Sequence, residues 1–188
     1  MKKEMFEVMF YGRGGQGAKT SAHLLAEACV DQNKFVQAWP EFGPERRGAP
    51  IKAFARVSDE YIDTHEDVTS PDALVVLDET LIANITENVE RAAIIVNSGK
   101  KPENIKAGFK SAGKICTVNA TRISLDSIGK DIPNTPMLGA LVKVTSIVSL
   151  DAIVKKIEDA FLEKIGEKAT KANIEMVKRA YSEVRCND

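Results

Sequence analysis

Four glycines follow a short apolar segment near the start of the chain, in the sequence EVMFYGRGGQGAKT. They are Gly12, Gly14, Gly15 and Gly17. Glycine permits positive φ angles and close backbone approach, and the first N–H groups of a following helix point toward an anion. The spacing matches Gly-x-Gly-x-x-Gly in a strand–turn–helix context. The segment predicts either a site for a phosphate-bearing ligand or a turn that only packs the strand against the helix.

This turn is not a Walker A loop, because Ala18 stands where that motif needs lysine and displaces Lys19 and Thr20 by one position. The start of a helix stabilises an anion by about 0.3–1 kcal/mol, or up to about 2 kcal/mol when partly buried. Micromolar binding needs about 8 kcal/mol. A nucleotide-like ligand would therefore need further donors, from this chain or from another one.

The loop PEFGPERRGAP, residues 40–50, is the second candidate segment. Its dense proline and glycine predict a defined backbone path. Arg46 and Arg47 offer forked, permanently charged donors that suit phosphate or carboxylate groups. The alternative is that they pair with Glu41 and Glu45, and that the loop only docks against a partner.

The elements that must position these segments follow from the apolar pattern. Short apolar runs alternate with helical patterns, which is typical of an α/β fold with a largely parallel sheet. We expect a three-layer α/β/α domain with a mostly parallel, Rossmann-like sheet and a helical C-terminal part from about 135 to 188. The predicted strands are 5–11, 35–39, 51–58, 73–77, 93–96 and 115–118, and the predicted helices are 15–32, 79–88, 121–129, one opening at Thr135, 150–164 and 167–185.

Local signals predict several boundaries. The period-two alternation over 51–58 indicates a strand with unlike faces and is compatible with the sheet edge. Thr135 is predicted as an N-cap with Pro136 at the first helical position. Because ligands bind beyond the carboxyl ends of parallel strands, a polar rim is expected there, although several of its members are also ordinary caps or turn residues. The rim comprises Gly12, Arg13, Glu41, Asp78, Asn97, Ser98, Asn119 and Thr121.

Composition limits the alternatives. A chain of 188 residues predicts a single domain, and its net charge of -1 gives no reason to expect nucleic acid or an anionic membrane as partner. The sequence has no apolar run long enough for a membrane span and no signal-peptide pattern, so a cytoplasmic protein is expected. Cysteines 29, 116 and 186 are too widely separated for a ferredoxin-type cluster and are expected to be small buried thiols. We expect no metal site in this chain.

A dinucleotide-binding oxidoreductase is the obvious enzyme hypothesis, and it meets a difficulty. Glu41 lies at about the right distance to be the ribose-binding carboxylate. It falls, however, within a proline- and glycine-rich loop that leads into another strand rather than into a crossover helix. The histidines, lysines and tyrosines also supply no clear hydride-transfer partner.

Four segments in order resemble a known family: GRGGQG at 12–17, FGPERRGAP at 42–50, ARVSDEYI at 55–62 and NTPMLGAL at 134–141. Together they are similar to the gamma subunit of the 2-oxoacid:ferredoxin oxidoreductases. The similarity runs from about 5 to 185. The FGPERRGAP form is closer to the pyruvate type than to the 2-oxoglutarate type, whose loop usually resembles YGPEMRGG. The same subunit role with another 2-oxoacid stays open.

The resemblance implies a role in a cytoplasmic, multi-subunit complex of anaerobic metabolism. Such complexes convert pyruvate and coenzyme A to acetyl-CoA and carbon dioxide and reduce ferredoxin, or run in reverse. It implies alpha, beta and delta partner subunits, which hold thiamine diphosphate, Mg²⁺ and 4Fe–4S clusters. The sequence here has neither cluster-type cysteines nor the thiamine-site pattern GDG…N, so this chain is expected to bind none of these cofactors and to be inactive alone.

The two candidate segments are then expected to meet at the carboxyl edge of the sheet and close over the active site of the partner subunits. They would supply donors toward coenzyme A phosphates or the substrate carboxylate, or they would only lock subunits together. The ligand- or interface-binding residues predicted on this basis are Gly12, Arg13, Gly14, Gly15, Gln16, Gly17, Glu45, Arg46 and Arg47. We expect no catalytic residue in this chain.

Overall fold

A computed structural model describes residues 5–41, 48–109 and 113–187. Within these ranges the chain forms a seven-stranded sheet with helices packed against it. The strands are β1 (Met5–Arg13), β2 (Phe35–Pro40), β3 (Pro50–Ser58), β4 (Ala73–Val76), β5 (Ala93–Asn97), β6 (Ile115–Val118) and β7 (Arg185–Cys186). The helices are α1 (Ala18–Val30), α2 (Pro102–Lys106), α3 (Ala120–Ile128), α4 (Asn134–Thr145), α5 (Leu150–Ile165) and α6 (Glu167–Glu183), and a 3-10 helix covers Glu79–Asn84.

The strands lie in the order β2–β3–β1–β4–β5–β6–β7. β1, β4, β5 and β6 run parallel to one another and form the centre of the sheet. β3 pairs antiparallel with both β1 and β2, and β7 pairs antiparallel with β6. The predicted α/β class and the parallel centre of the sheet are thus confirmed, and the antiparallel strands lie toward its two sides.

The two faces of the sheet are covered unequally. One face packs against α1, α4, α5 and α6 around the larger apolar core, which includes Phe10, Leu25 and Met176. On the other face the 3-10 helix, α2 and the connecting segments supply the covering side chains, among them Val68, Leu81 and Ile105. The expected three layers therefore consist of a thick helical layer on one side and a thin layer on the other.

The placement of β3 differs from expectation. It lies between β1 and β2 rather than at the edge, and Ala53–Ser58 are buried although their types alternate. The alternation of residue types predicts one exposed face, but Arg56 on that face is only 2 % exposed. Its guanidinium bonds to Glu7, the residue opposite it on β1, so the charge is neutralised within the sheet.

Three predicted boundaries also shift. α4 starts at Asn134 with Pro133 as its N-cap, so Thr135 lies inside the first turn. α3 is capped by Asn119, whose side chain accepts the Arg122 N–H at 2.9 Å, while the Thr121 N–H donates to Asn97. The segment predicted as a helix over 79–88 is the shorter 3-10 helix, capped by Asp78 as expected.

The C-terminal part is helical over α4–α6, but its last residues depart from prediction. Arg185 and Cys186 form β7, and Cys186 makes a disulfide bond with Cys116 of β6. Antiparallel pairing places these two residues directly opposite each other, a proximity that a separation of 70 in sequence does not reveal. Cys29 is a buried thiol as expected, and burial raises its pKa to about 12. In the described ranges, no helix is both long and apolar enough to cross a membrane.

Candidate functional site

The glycine turn, residues 12–17, joins the carboxyl end of β1 to α1. Gly15 and Gly17 have φ angles of +99° and +84°, a region that disfavours side chains. The Gln16 side chain accepts the Arg13 N–H at 2.7 Å, and the Gln16 N–H donates to the Arg13 carbonyl at 2.9 Å. The turn is closed by its own hydrogen bonds and has one defined shape.

A second set of bonds ties the glycine turn to the end of the loop at 40–50. The Gly14 N–H donates to the Ala49 carbonyl at 2.8 Å, and the Gly48 N–H donates to the Gly14 carbonyl at 3.1 Å. The two segments that the sequence singles out therefore touch at Gly48 and Ala49. Glu45, Arg46 and Arg47 lie outside the described residues.

The Arg13 side chain holds the end of the loop at 40–50 against the glycine turn. Its Nε donates to Asp78 Oδ2 at 2.8 Å, its Nη1 to the Gly48 carbonyl at 3.1 Å and its Nη2 to Thr80 Oγ1 at 2.8 Å. Burial alone would raise the pKa of Asp78, but hydrogen bonds from Thr80 and Arg13 outweigh it and hold that pKa below its usual range. Asp78 is therefore a carboxylate at neutral pH, paired with a guanidinium that is used on all three nitrogens.

The first backbone N–H groups of α1 point toward the glycine turn, and among the described residues no N-cap side chain bonds to them. Its N-cap is Gly17, which supplies no side-chain cap, and the first turn carries no acidic residue. The start of α4 lies beside it, because the Ser21 hydroxyl of α1 donates to the carbonyl of Asn134 at 3.4 Å. α4 also starts without a side-chain cap and without an acidic residue in its first turn. Two positive helix ends therefore meet next to the glycine turn.

Asn134 is the polar side chain placed at this junction. A Cβ built on Gly17 would lie 2.7 Å from Asn134 Cγ, so the amide packs directly on the glycine. The residue is 4 % exposed, yet its Oδ1 has no hydrogen-bond partner within the described part of the chain. An unpaired buried acceptor costs about 1–3 kcal/mol, which favours a donor arriving from outside. Sequence reasoning missed Asn134, although a polar residue between Pro133 and a long apolar run was a usable signal.

The rest of the polar rim is bonded within the fold. Asn97 Nδ2 donates to the Leu77 carbonyl at 2.9 Å and to Thr121 Oγ1 at 2.9 Å, so Asn97 bridges β4 to α3. Asn119 caps α3, and Ser98 bonds to Glu79. Of the predicted rim, these side chains are mainly structural, and the unclaimed donors and acceptor lie around Gly17.

Four cavities of about 230 to 430 Å³ open on the described surface, and residues 12–17 line none of these four. The described residues also contain no group of three or more histidine, cysteine or acidic side chains arranged to hold a metal ion.

Comparison with known proteins decides what kind of chain carries this turn. A sequence model of the family described as pyruvate ferredoxin/flavodoxin oxidoreductase matches residues 7–183. The chain belongs to this family. The matched range includes the glycine turn, Asp78 and Asn134.

Individual relatives agree with the family assignment. A pyruvate synthase subunit PorC from Thermotoga maritima is 48% identical over 190 residues, which cover 99% of this chain and 98% of that protein. The common gamma subunit of the pyruvate/ketoisovalerate oxidoreductases of Thermococcus litoralis is 42% identical over 172 residues, covering 89% of this chain and 93% of that one. The crystal structure of the pyruvate oxidoreductase subunit PORC from Thermotoga maritima matches with a TM-score of 0.88 and 45% identity, covering 99% of this chain and 100% of the other.

Proposed function

We propose that this chain is the gamma subunit of a pyruvate:ferredoxin oxidoreductase. The complex would oxidatively decarboxylate pyruvate with coenzyme A to acetyl-CoA and carbon dioxide and pass the electrons to ferredoxin, or catalyse the reverse. The observation that carries the proposal is 48% identity, over 99% of this chain, to a subunit named for pyruvate synthase. A free-standing dinucleotide oxidoreductase is not favoured, since the two relatives described above, which match 99% and 89% of this chain, are named as oxidoreductase subunits.

Within the complex, the glycine turn is the part of this chain that faces coenzyme A and the partner subunits. Two uncapped helix starts and the unpaired Oδ1 of Asn134 support this assignment, because phosphate oxygens take N–H donors and an amide oxygen takes a donor. The helix ends contribute a few kcal/mol at most, against about 8 kcal/mol for micromolar binding. The remainder comes from Arg46 and Arg47, which precede Gly48 in sequence, and from the partners that enclose the turn.

The bond-breaking chemistry belongs to other chains. Thiamine diphosphate with Mg²⁺ would be held by the alpha and beta subunits, and 4Fe–4S clusters by the beta and delta subunits. The cysteines of this chain do not fit an iron–sulfur cluster, since Cys116 and Cys186 are bonded to each other and Cys29 is buried. The described residues also hold no cluster of histidine, cysteine or acidic side chains that suits Mg²⁺. No step is assigned to these cofactors on this chain, whose tasks are to assemble, to bind and to exclude water. We propose a cytoplasmic location for the complex.

A second 2-oxoacid is the alternative worth keeping. The Thermococcus litoralis relative is named as the gamma subunit common to pyruvate and ketoisovalerate oxidoreductases. A gamma chain shared in that way leaves the choice of 2-oxoacid to the other subunits. Assay of pyruvate against branched 2-oxoacids on the same purified complex distinguishes the two cases.

The test of the function is anoxic purification of the tagged chain from its native cells. We expect larger partner chains, iron–sulfur absorbance and dye reduction that depends on both pyruvate and coenzyme A. A colourless chain recovered alone, and stabilised against heat by NAD or NADP, would overturn the proposal.

The ligand role has its own test in the Arg46→Ala plus Arg47→Ala variant. If the pair contacts ligand, the complex assembles and its apparent affinity for coenzyme A or pyruvate falls. If the pair only locks subunits together, assembly fails, because unpaired interface charges cost several kcal/mol.

A further inference from the structure

We propose that Arg13 is a positioning residue, which fixes the glycine turn for the ligand, and that it does not itself bind the ligand. The inference rests on the proposed function, since it concerns the same site. The sequence pattern GRGGQG is compatible with two roles for Arg13. The residue could contact an anion, or it could hold in place the turn that contacts the anion.

The first argument is that every guanidinium nitrogen of Arg13 is already held by a partner within the chain, which uses three of its five N–H donors. Each of its three guanidinium nitrogens donates a hydrogen bond within the chain, to Asp78, to the Gly48 carbonyl and to Thr80. Bonds on all three nitrogens fix the plane of the guanidinium, so it cannot turn to meet a ligand while they hold. Rotating Arg13 toward a ligand would break a bond to the carboxylate of Asp78, which is only 19 % exposed.

The second argument is where these bonds lead. Asp78 follows β4 and caps the 3-10 helix, so it is fixed by Thr80 N–H at 3.0 Å as well as by Arg13. Gly48 is bonded to Gly14, inside the glycine turn. Arg13 therefore connects the exit of β4, the entry to β3 and the turn itself. A planar fork with fixed donor directions can hold three such partners at once, and the ammonium of lysine cannot reproduce that geometry.

The third argument is that the groups proposed to meet the ligand belong to the other end of the turn in sequence. Gly17 and Asn134 mark the junction of α1 with α4. The backbone from Gly14 to Gly17 separates them from Arg13, so the angle of that backbone decides where the N–H donors point. Loss of Arg13 would loosen the turn at Gly14 and Gly48 and misdirect the donors without removing any of them.

The experiment compares Arg13→Lys, Asp78→Asn and the double variant in the assembled complex, with KM for coenzyme A, kcat and melting temperature measured for each. We expect each single variant to raise KM for coenzyme A about tenfold, the effect of one charge-assisted hydrogen bond. Because both break the same connection, the double variant should be no worse than either single one. The matched control is Arg122→Lys with Asp126→Asn, an ion pair of α3 whose arginine is 69% exposed, and it should leave KM unchanged.

Four other results overturn the inference in different ways. If Arg13→Lys raised KM and Asp78→Asn did not, Arg13 would contact the ligand directly, because Asp78→Asn frees its guanidinium. If both lowered the melting temperature with KM unchanged, their role would be structural. If only Arg46→Ala with Arg47→Ala raised KM, positioning would fail while the proposed function stood; if no variant did, the proposed ligand role would fail as well.

Discussion

Two arginines of neighbouring strands use the same guanidinium chemistry for different ends. Arg56 of β3 is 2 % exposed and bonds to Glu7, to Gln37 and to the Glu66 carbonyl, with the Trp39 ring 4.8 Å from its carbon Cζ. Arg13, at the end of β1, is 36% exposed and bonds to Asp78, Thr80 and the Gly48 carbonyl.

The difference between the two clusters is what they hold. The Arg56 cluster lies inside the sheet, and its neighbours are strands and a covering segment that the fold needs anyway. The Arg13 cluster lies at the carboxyl edge, where its neighbours are turns with unclaimed donors nearby. A forked cation surrounded by acceptors is therefore not in itself a sign of a ligand site. The burial of the arginine and the segments that it connects decide its role. A buried arginine between strands stabilises the fold, whereas a partly exposed arginine between turns holds the shape of a site.

The largest expected effect is on stability, at Arg56. Arg56→Ala removes one charged partner of Glu7, a carboxylate that is 13% exposed, and the bonds of Arg56 to Gln37 and to the Glu66 carbonyl. It should lower the free energy of unfolding by about 3–5 kcal/mol. Urea denaturation of the full chain measures this. Arg56→Lys is the control, because lysine keeps the positive charge but lacks the planar guanidinium. Its free energy of unfolding should lie between those of wild type and Arg56→Ala. A loss below about 1 kcal/mol would show that the Arg56 cluster is no more structural than a surface ion pair.

The next effect concerns the backbone that Arg13 supports. Gly17→Ala introduces a side chain at φ +84° and 2.7 Å from Asn134, whereas Gly15→Ala, at φ +99°, meets nothing within 4 Å. Positive φ costs each variant about 1–2 kcal/mol, and crowding adds about 1–3 kcal/mol at Gly17. Thermal melting of both variants should show the difference. Equal losses would mean that Asn134 does not pack on Gly17 as described.

A smaller effect is expected when the Arg13 cluster is tested for stability rather than for binding. Arg13→Gln should change the free energy of unfolding by less than about 1 kcal/mol, because a guanidinium that is 36% exposed is screened by water. The same urea experiment gives the value. If Arg13→Gln lowered the free energy of unfolding as much as Arg56→Ala, both arginines would serve mainly stability.

The smallest effect is on pH dependence. Because the folded state lowers the pKa of Asp78, this carboxylate stabilises the fold above its ordinary pKa of about 3.9, and the contribution is lost as pH falls through the lower folded value. Between pH 7 and about pH 3, wild type should therefore lose up to about 1 kcal/mol more than Asp78→Asn. Parallel acid titrations followed by circular dichroism test this, and identical curves would contradict it.

The sequence predicted those features that depend on local pattern. The glycine turn, the buried strands and α1 follow from glycine spacing and from the recurrence of Ala22, Leu25 and Cys29 on one helix face. The contact between the glycine turn and the loop at 40–50 was also expected, because both follow strands of the same sheet.

Features that depend on tertiary partners were not predictable. Arg56 has the residue type of an exposed face, and its burial depends on partners distant in sequence, above all the Glu7 carboxylate opposite it on β1. The disulfide between Cys116 and Cys186 depends on β7 joining the sheet, which two residues cannot signal. Asn134 belongs to the candidate site only because α4 starts against α1, a contact between residues 113 positions apart in sequence. In each case the deciding partner lies far away in sequence.

The most direct test of the central claim is hydrogen exchange in the assembled complex, measured with and without coenzyme A. The claim is that the glycine turn faces the ligand and that the Arg56 cluster does not. We predict that coenzyme A slows exchange of the backbone amides at 12–17 and leaves those at 52–57 unchanged. Unchanged exchange at 12–17 in a complex that still turns over pyruvate would contradict the account.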